Sequence, residues 1–146
     1  MSTKDGAVGT LGDRDRQKLI DLLVEFAWRV DHGLAGSIHQ IVTDDIVMAL
    51  TKGTMNGIEE VRAWGAKRDS TGRTTSHLMT NFRFSVVSED RVEANSSALI
   101  FVHSGPGVGP AKPWAVTEYQ DIFIRVDGDW KFKSRFSTDV FMSDDD

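Results

Sequence analysis

The apolar positions change their period part-way along the chain. Between Asp13 and Gly33, Leu19, Leu23, Phe26, Ala27 and Val30 recur at steps of three and four, the spacing of one helix face. Asp13 suits the N-cap and Asp15 the first turn, where the helix dipole favours negative charge. Gly33 stops this helix, and a short second helix is predicted over Leu34 to Ile41. Thr43-Asp44-Asp45 then turns the chain into a strand, Ile46 to Leu50. Gly53 to Gly57 reads as a turn or a very short strand. With Asn56 as N-cap, Glu59 and Glu60 in the first turn, and Ile58, Val61 and Trp64 on one face, a third helix is predicted over residues 57–68. Asp69-Ser-Thr-Gly72 ends it.

Beyond Gly72 the pattern is that of strands. Thr74 to Val87 is the first long one, and Ser88-Glu89-Asp90 turns it into Arg91 to His103. The loop Ser104 to Pro113 holds all three prolines of the chain and cannot continue a ladder. Trp114 to Val126 follows, Asp127-Gly128 is a hairpin turn, and Trp130 to Ser137 returns. Helices followed by a meander of long strands give an α+β fold. A curved, mostly antiparallel sheet of roughly four to six strands would wrap the first helix, leaving one open mouth where pockets form. Residues 1–12 are expected to be a loose tail, 13–140 a single domain and 141–146 an acidic tail.

Composition acts mainly by exclusion. The 146 residues carry a formal net charge of −5, which argues against nucleic acid as a partner. Without its three terminal aspartates the body is close to neutral, so nothing suggests steering of a charged partner. Cysteine is absent, which removes disulfides, thiolate metal sites and cysteine nucleophiles and suits a reducing cytoplasm. No apolar run approaches the ~20 residues of a membrane helix, and the N-terminus has no apolar segment of a secretory signal. A cytoplasmic protein without membrane contact is expected.

Few residues point to chemistry. Asp31 shares a helical stripe with Ile20, Val24 and Ala27, so the stripe ends in a carboxylate at the helix end that least favours one. Taken alone, the position suits a carboxylate in water, or one bonded to a neighbouring loop, as readily as a functional group. His77 opens the first long strand and His103 closes the second. With His32 and His39 they form no metal-ligand spacing, so no metal is expected. There is no nucleophile elbow and no phosphate loop, and the glycines of Gly105-Pro-Gly-Val-Gly109 lie between strands. Trp28, Trp64, Trp114, Trp130 and Tyr119 suit a core or the wall of a ligand cavity.

Five blocks in order resemble a known family: Trp28-Arg-Val-Asp31-His-Gly, Ile41-Val-Thr-Asp-Asp-Ile46, Gly53-Thr-Met-Asn-Gly57, Thr74-Thr-Ser-His77-Leu-Met-Thr-Asn81 and Arg125-Val-Asp-Gly-Asp-Trp130. Together they resemble the SnoaL-like branch of the nuclear transport factor 2-like superfamily, which includes scytalone dehydratase-like, bile-acid dehydratase-like and polyketide cyclase members. The resemblance covers roughly residues 13 to 137. It implies a cone-shaped half-barrel of the cystatin-like type with a deep apolar pocket, occupied by a hydrophobic small molecule. It also implies a catalytic pair, Asp31 and His77, with His103 as a second polar contact and Tyr119 as a hydroxyl donor; Trp28 and Trp64, read from their aromatic character, are the candidate substrate-binding walls. Where such enzymes often have tyrosines just before the aspartate, this chain has Phe26, Trp28 and Val30.

The implied function is a cofactor-independent lyase or isomerase of dehydratase, ketone isomerase or cyclase type. Its alternatives are a non-catalytic ligand-binding protein and a structural small subunit of an oligomeric enzyme. A homodimer or homotrimer is expected in either case.

Overall fold

The computed structural model describes residues 9–144; most of the expected N-terminal tail and the last two residues of the acidic tail lie outside them. Helix α1 spans Asp13–Asp31, a 3₁₀ helix spans Ala35–Ile41, and helix α2 spans Ile58–Ser70. The strands are β1 (Val42–Leu50), β2 (Gly53–Asn56), β3 (Thr74–Ser88), β4 (Arg91–His103), β5 (Ala115–Val126) and β6 (Asp129–Met142). They form one curved, unclosed sheet in the order β2-β1-β6-β5-β4-β3. Every pairing is antiparallel except β1 with β6, which is parallel.

The apolar stripe of α1 lies in the concave side of the sheet. Leu19, Leu23, Phe26 and Val30 pack with Ile38 of the 3₁₀ helix, Val61 of α2 and Met48, Phe123 and Phe132 of the sheet. Phe26 meets Phe132 edge-on at 5.4 Å between centroids, and Phe123 lies 4.5 Å beyond.

Several expected boundaries shift, each for a local reason. Gly12 rather than Asp13 is the N-cap of α1, and no side chain caps it. Asp15 instead reaches the β5–β6 hairpin, accepting from Trp130 Nε1 at 3.1 Å and Arg125 Nη2 at 3.2 Å. Thr43 to Asp45 belong to β1 and are not a turn: a register shift between Val42 and Val47 absorbs them, and Lys133 of β6 donates to Asp45. Gly57, not Asn56, caps α2, at φ 92°, where a side chain would be strained. β6 runs past Ser137 to Met142 because its end pairs with β5 as far as Ala115.

Two of the sheet's register shifts reset which residues face the concave side beside the cavity. On β3, Thr75, His77 and Met79 face inward, then Phe82, Phe84 and Val86. The switch falls at Asn81, a non-glycine residue at φ 58°, where three steps on β3 oppose two on β4. On β6 the inward set changes from Trp130 and Phe132 to Arg135, Ser137 and Asp139 across a second irregularity. Such bulges bend a strand and increase its twist, which is how these long strands curl around α1.

Helix α2 is docked by two residues one turn apart. Gly65 lies against the start of the 3₁₀ helix, where an added Cβ would stand 2.1 Å from the Ala35 carbonyl oxygen. Asp69 accepts the amides of Ala35 and Gly36, both at 2.8 Å, capping that helix from outside its own segment. Replacing Gly65 with Ala must push the two helices apart. We expect it to lower unfolding stability by at least about 2 kcal/mol in denaturant titration, as overpacking does.

Candidate active site

The end of α1 meets the start of β3. β3 is an edge strand, so its outward backbone N–H groups are not used by the sheet. One of them, from His77, donates to Asp31 Oδ2 at 2.8 Å. The His77 ring turns the same way, with Nδ1 2.7 Å from Asp31 Oδ1. Thr75 Oγ1 donates to the same oxygen at 2.7 Å, and Arg68 Nη2 of α2 in turn donates to Thr75 Oγ1 at 2.8 Å. Three donors therefore converge on one carboxylate. With Nδ1–H directed at Asp31, Nε2 of His77 keeps its lone pair.

Burial alone would raise the Asp31 pKa. The His77 ring, its backbone N–H and the Thr75 hydroxyl outweigh that and hold the carboxyl below its ordinary value. The side chains are largely shielded, with 10% of Asp31 and 16% of His77 exposed.

His77 borders a cavity of about 200 Å³ that opens at the mouth of the cone. Val30, Trp64, Ile100, Val102 and Trp114 supply apolar wall. Polar groups come from two sides. Arg68, Arg73 and Thr75 lie with His77 on the α2–β3 side; Thr117, Tyr119, Ser137 and Asp139 lie on β5 and β6. The register sets Thr117 opposite Asp139 and Tyr119 opposite Ser137. Asp139 accepts from Thr117 Oγ1 at 2.7 Å and from Thr51 Oγ1 at 2.9 Å. Burial pushes the Tyr119 phenol above its ordinary value, which keeps it a hydrogen-bond donor at neutral pH.

Next in the same row, Arg135 faces Asp121. Its Nε and Nη2 donate to the two carboxylate oxygens at 2.8 and 3.2 Å, and the pair is almost completely buried. Burial pushes the Asp121 carboxyl up, against the pull of the guanidinium. The guanidinium carbon lies 4.0 Å from the Tyr119 ring centre and 4.4 Å from that of Phe26, so the ion pair supports the Tyr119 ring.

The structure thus brings Asp31, His77, Trp64 and Tyr119 to one place. It does not bring Trp28 or His103 there. Trp28 points outward from α1, 54% exposed, and stacks on His32 at 3.8 Å. His103 is out of phase with the inward residues Ile100 and Val102. It packs instead against Gly109, where an added Cβ would lie 2.6 Å from it, and its Nε2 is 3.4 Å from the Pro106 carbonyl.

The sequence reading missed Thr75, Arg68, Arg73 and Asp139. The visible signal for Arg68 was its place on the helical stripe Val61, Gly65, Arg68, all buried. Among the described residues, no cluster of His, Cys, Asp or Glu is placed to hold a metal ion. Among the described residues, no helix is long and apolar enough to cross a membrane.

An open curved sheet around one long helix, with a polar pair at the mouth of an apolar cavity, defines a cystatin-like half-barrel. The chain belongs to the SnoaL-like domain family, whose pattern it matches over residues 14–136. Solved structures share the fold. A candidate scytalone dehydratase from Novosphingobium aromaticivorans superposes with TM-score 0.78 at 18% identity, over 90% of this chain and 87% of that one. The hexachlorocyclohexane dehydrochlorinase LinA-type3 from Novosphingobium barchaimii gives 0.73 at 23% identity, over 89% of each chain. A cystatin-like protein of unknown function from Nostoc punctiforme gives 0.77 at 17%, over 90% and 95%. No curated protein matches the sequence.

The depressed carboxyl makes a pH prediction. A carboxylate with a lowered folded pKa stabilises the fold above its unfolded value, here 3.8, and loses that contribution as the pH falls towards the folded value. The stability gap between wild type and Asp31→Asn should therefore shrink as the pH falls below 3.8. Denaturant titrations across that range measure it; a gap that does not change would contradict the assigned contacts.

Proposed function

We propose that the protein is a cofactor-independent lyase or isomerase that moves a proton on a hydrophobic carbonyl compound. The observation that carries this reading is the 2.7 Å contact between His77 Nδ1 and Asp31 beside an apolar cavity. The carboxylate fixes the imidazole tautomer and stabilises its cation, so Nε2 can act as a base towards the cavity. It takes a proton from the carbon next to the carbonyl; the C–H electrons pass into the carbonyl, giving an enolate. Tyr119, kept protonated, is the candidate donor to that oxygen.

The enolate has three exits. The proton can return at another carbon, giving isomerisation. A hydroxyl on the next carbon can leave as water, taking the proton from the His77 cation. The carbanion can instead attack a second carbonyl carbon of the same molecule and close a ring; that C=O π bond breaks towards oxygen, which takes the proton from the His77 cation. Two of the structural relatives are named for eliminations, of water and of hydrogen chloride. The outer face of the sheet exposes Leu78 and Phe136, apolar surface that the expected homodimer or homotrimer would cover.

Exchange with D₂O tests the reading without a known product. Aromatic and polycyclic ketones, incubated with the protein and followed by NMR, should lose their α-proton signals for at least one compound. His77→Ala should slow that exchange by about 10²–10⁴-fold, a far larger loss than the modest drop in stability expected when Asp31 keeps its bonds to Thr75 and to the residue-77 amide. Ligands that bind the cavity and raise the melting temperature, with no exchange across the panel, would favour a non-catalytic binding protein.

A further inference from the structure

Two cations in the cavity wall have no acidic partner. Arg68 is buried, 9% exposed, yet its guanidinium meets only neutral acceptors. These are Thr75 Oγ1 at 2.8 Å and, at 3.4 Å, Thr71 Oγ1 and the Arg73 carbonyl. The nearby carboxylates are already engaged. Asp31 is held by His77 and Thr75, and Asp69 by the amides of Ala35 and Gly36. Arg73 goes further: its Nε is buried and finds no hydrogen-bond partner among the described residues. Both arginines border the same cavity as His77. Burying a guanidinium without an anion is costly, and leaving one of its N–H groups unpaired adds to the cost. Neither arginine forms a salt bridge among the described residues.

We propose that Arg68 and Arg73 bind a carboxylate on the substrate, so that the compound turned over is an aromatic or polycyclic acid carrying its own carbonyl group. The inference rests on the proton-transfer reading for the word substrate, but the anion site stands on its own geometry. A carboxylate suits the planar guanidinium, which can donate two parallel hydrogen bonds to it. A single charge also suits the rest of the cavity better than a dianion, because Asp31 and Asp139 border it or its dyad. With the carboxylate at the α2–β3 rim, the apolar body lies against Trp64, Ile100 and Val102, next to His77.

The test compares 2-naphthoate with 2-naphthamide, which has the same rings and no charge, by calorimetry on the full chain. Wild type should prefer the carboxylate by about tenfold or more, with the preference falling as salt is added. Arg73 is the residue to change, because its side chain holds nothing else in the fold. Arg73→Met should abolish the preference while leaving naphthamide affinity unchanged and thermal unfolding no lower than in wild type. Arg73→Lys should restore only part of it. Equal affinities in wild type, no binding of either compound, or a preference that survives Arg73→Met would overturn the proposal. The readout is binding, so it separates from the exchange experiment. A carboxylate preference without proton exchange removes the catalytic reading and keeps this site; exchange without the preference does the reverse.

Discussion

One carboxylate ties the helical layer to the edge of the sheet. Asp31 sits at the C-terminal end of α1, where the helix dipole opposes a negative charge. It is stabilised there by three donors from β3: the Thr75 hydroxyl, the His77 amide and the His77 ring. The amide is available only because β3 is an edge strand. The same bonds that fasten the strand to the helix also set the tautomer and direction of the imidazole. Structural attachment and chemical preparation are therefore one interaction, and Arg68 extends it to α2 through Thr75.

The cavity beside this pair exists because the sheet bends. The bulges on β3 and β6 allow each strand to present inward residues along its whole length despite its curvature. Their effect is also chemical. Past the bulge on β6, the inward row becomes Arg135, Ser137 and Asp139, facing Asp121, Tyr119 and Thr117 of β5. A polar belt thus crosses an otherwise apolar concavity. Its deepest member, the Arg135–Asp121 pair, is tolerable there because the two carboxylate oxygens and two guanidinium nitrogens match one another. Its outer members border open space.

Much of the architecture was legible in periodicity. The step of three and four from Leu19 to Val30, the long strands after Gly72 and the Asp127-Gly128 turn all correspond to observed elements. Asp31 and His77 stood out through the resemblance of their sequence blocks. Trp28 and His103 misled, because being aromatic and near the right element does not say which way a side chain points. One step along a strand reverses the face, and that separates His103 from Val102. The polar belt was illegible for a related reason. Counting back from the hairpin turn pairs Phe123 with Phe132 correctly, but the irregularity after it puts Arg135, not Ser134, opposite Asp121.

The sequence by itself determined the kind of elements, their order and an apolar stripe for α1, because these depend on local spacing and turn chemistry. It also kept the chain free of thiol chemistry and of long apolar spans. Tertiary structure alone decided which polar residues meet. Asp31 and His77 are far apart in the chain, and Arg68, Arg73 and Asp139 lie on three different segments. Their convergence depends on bulges that reset strand phase, on Gly65 letting two helices touch, and on an edge strand with free amides. These are properties of how elements fit together, and no local pattern of residues encodes them.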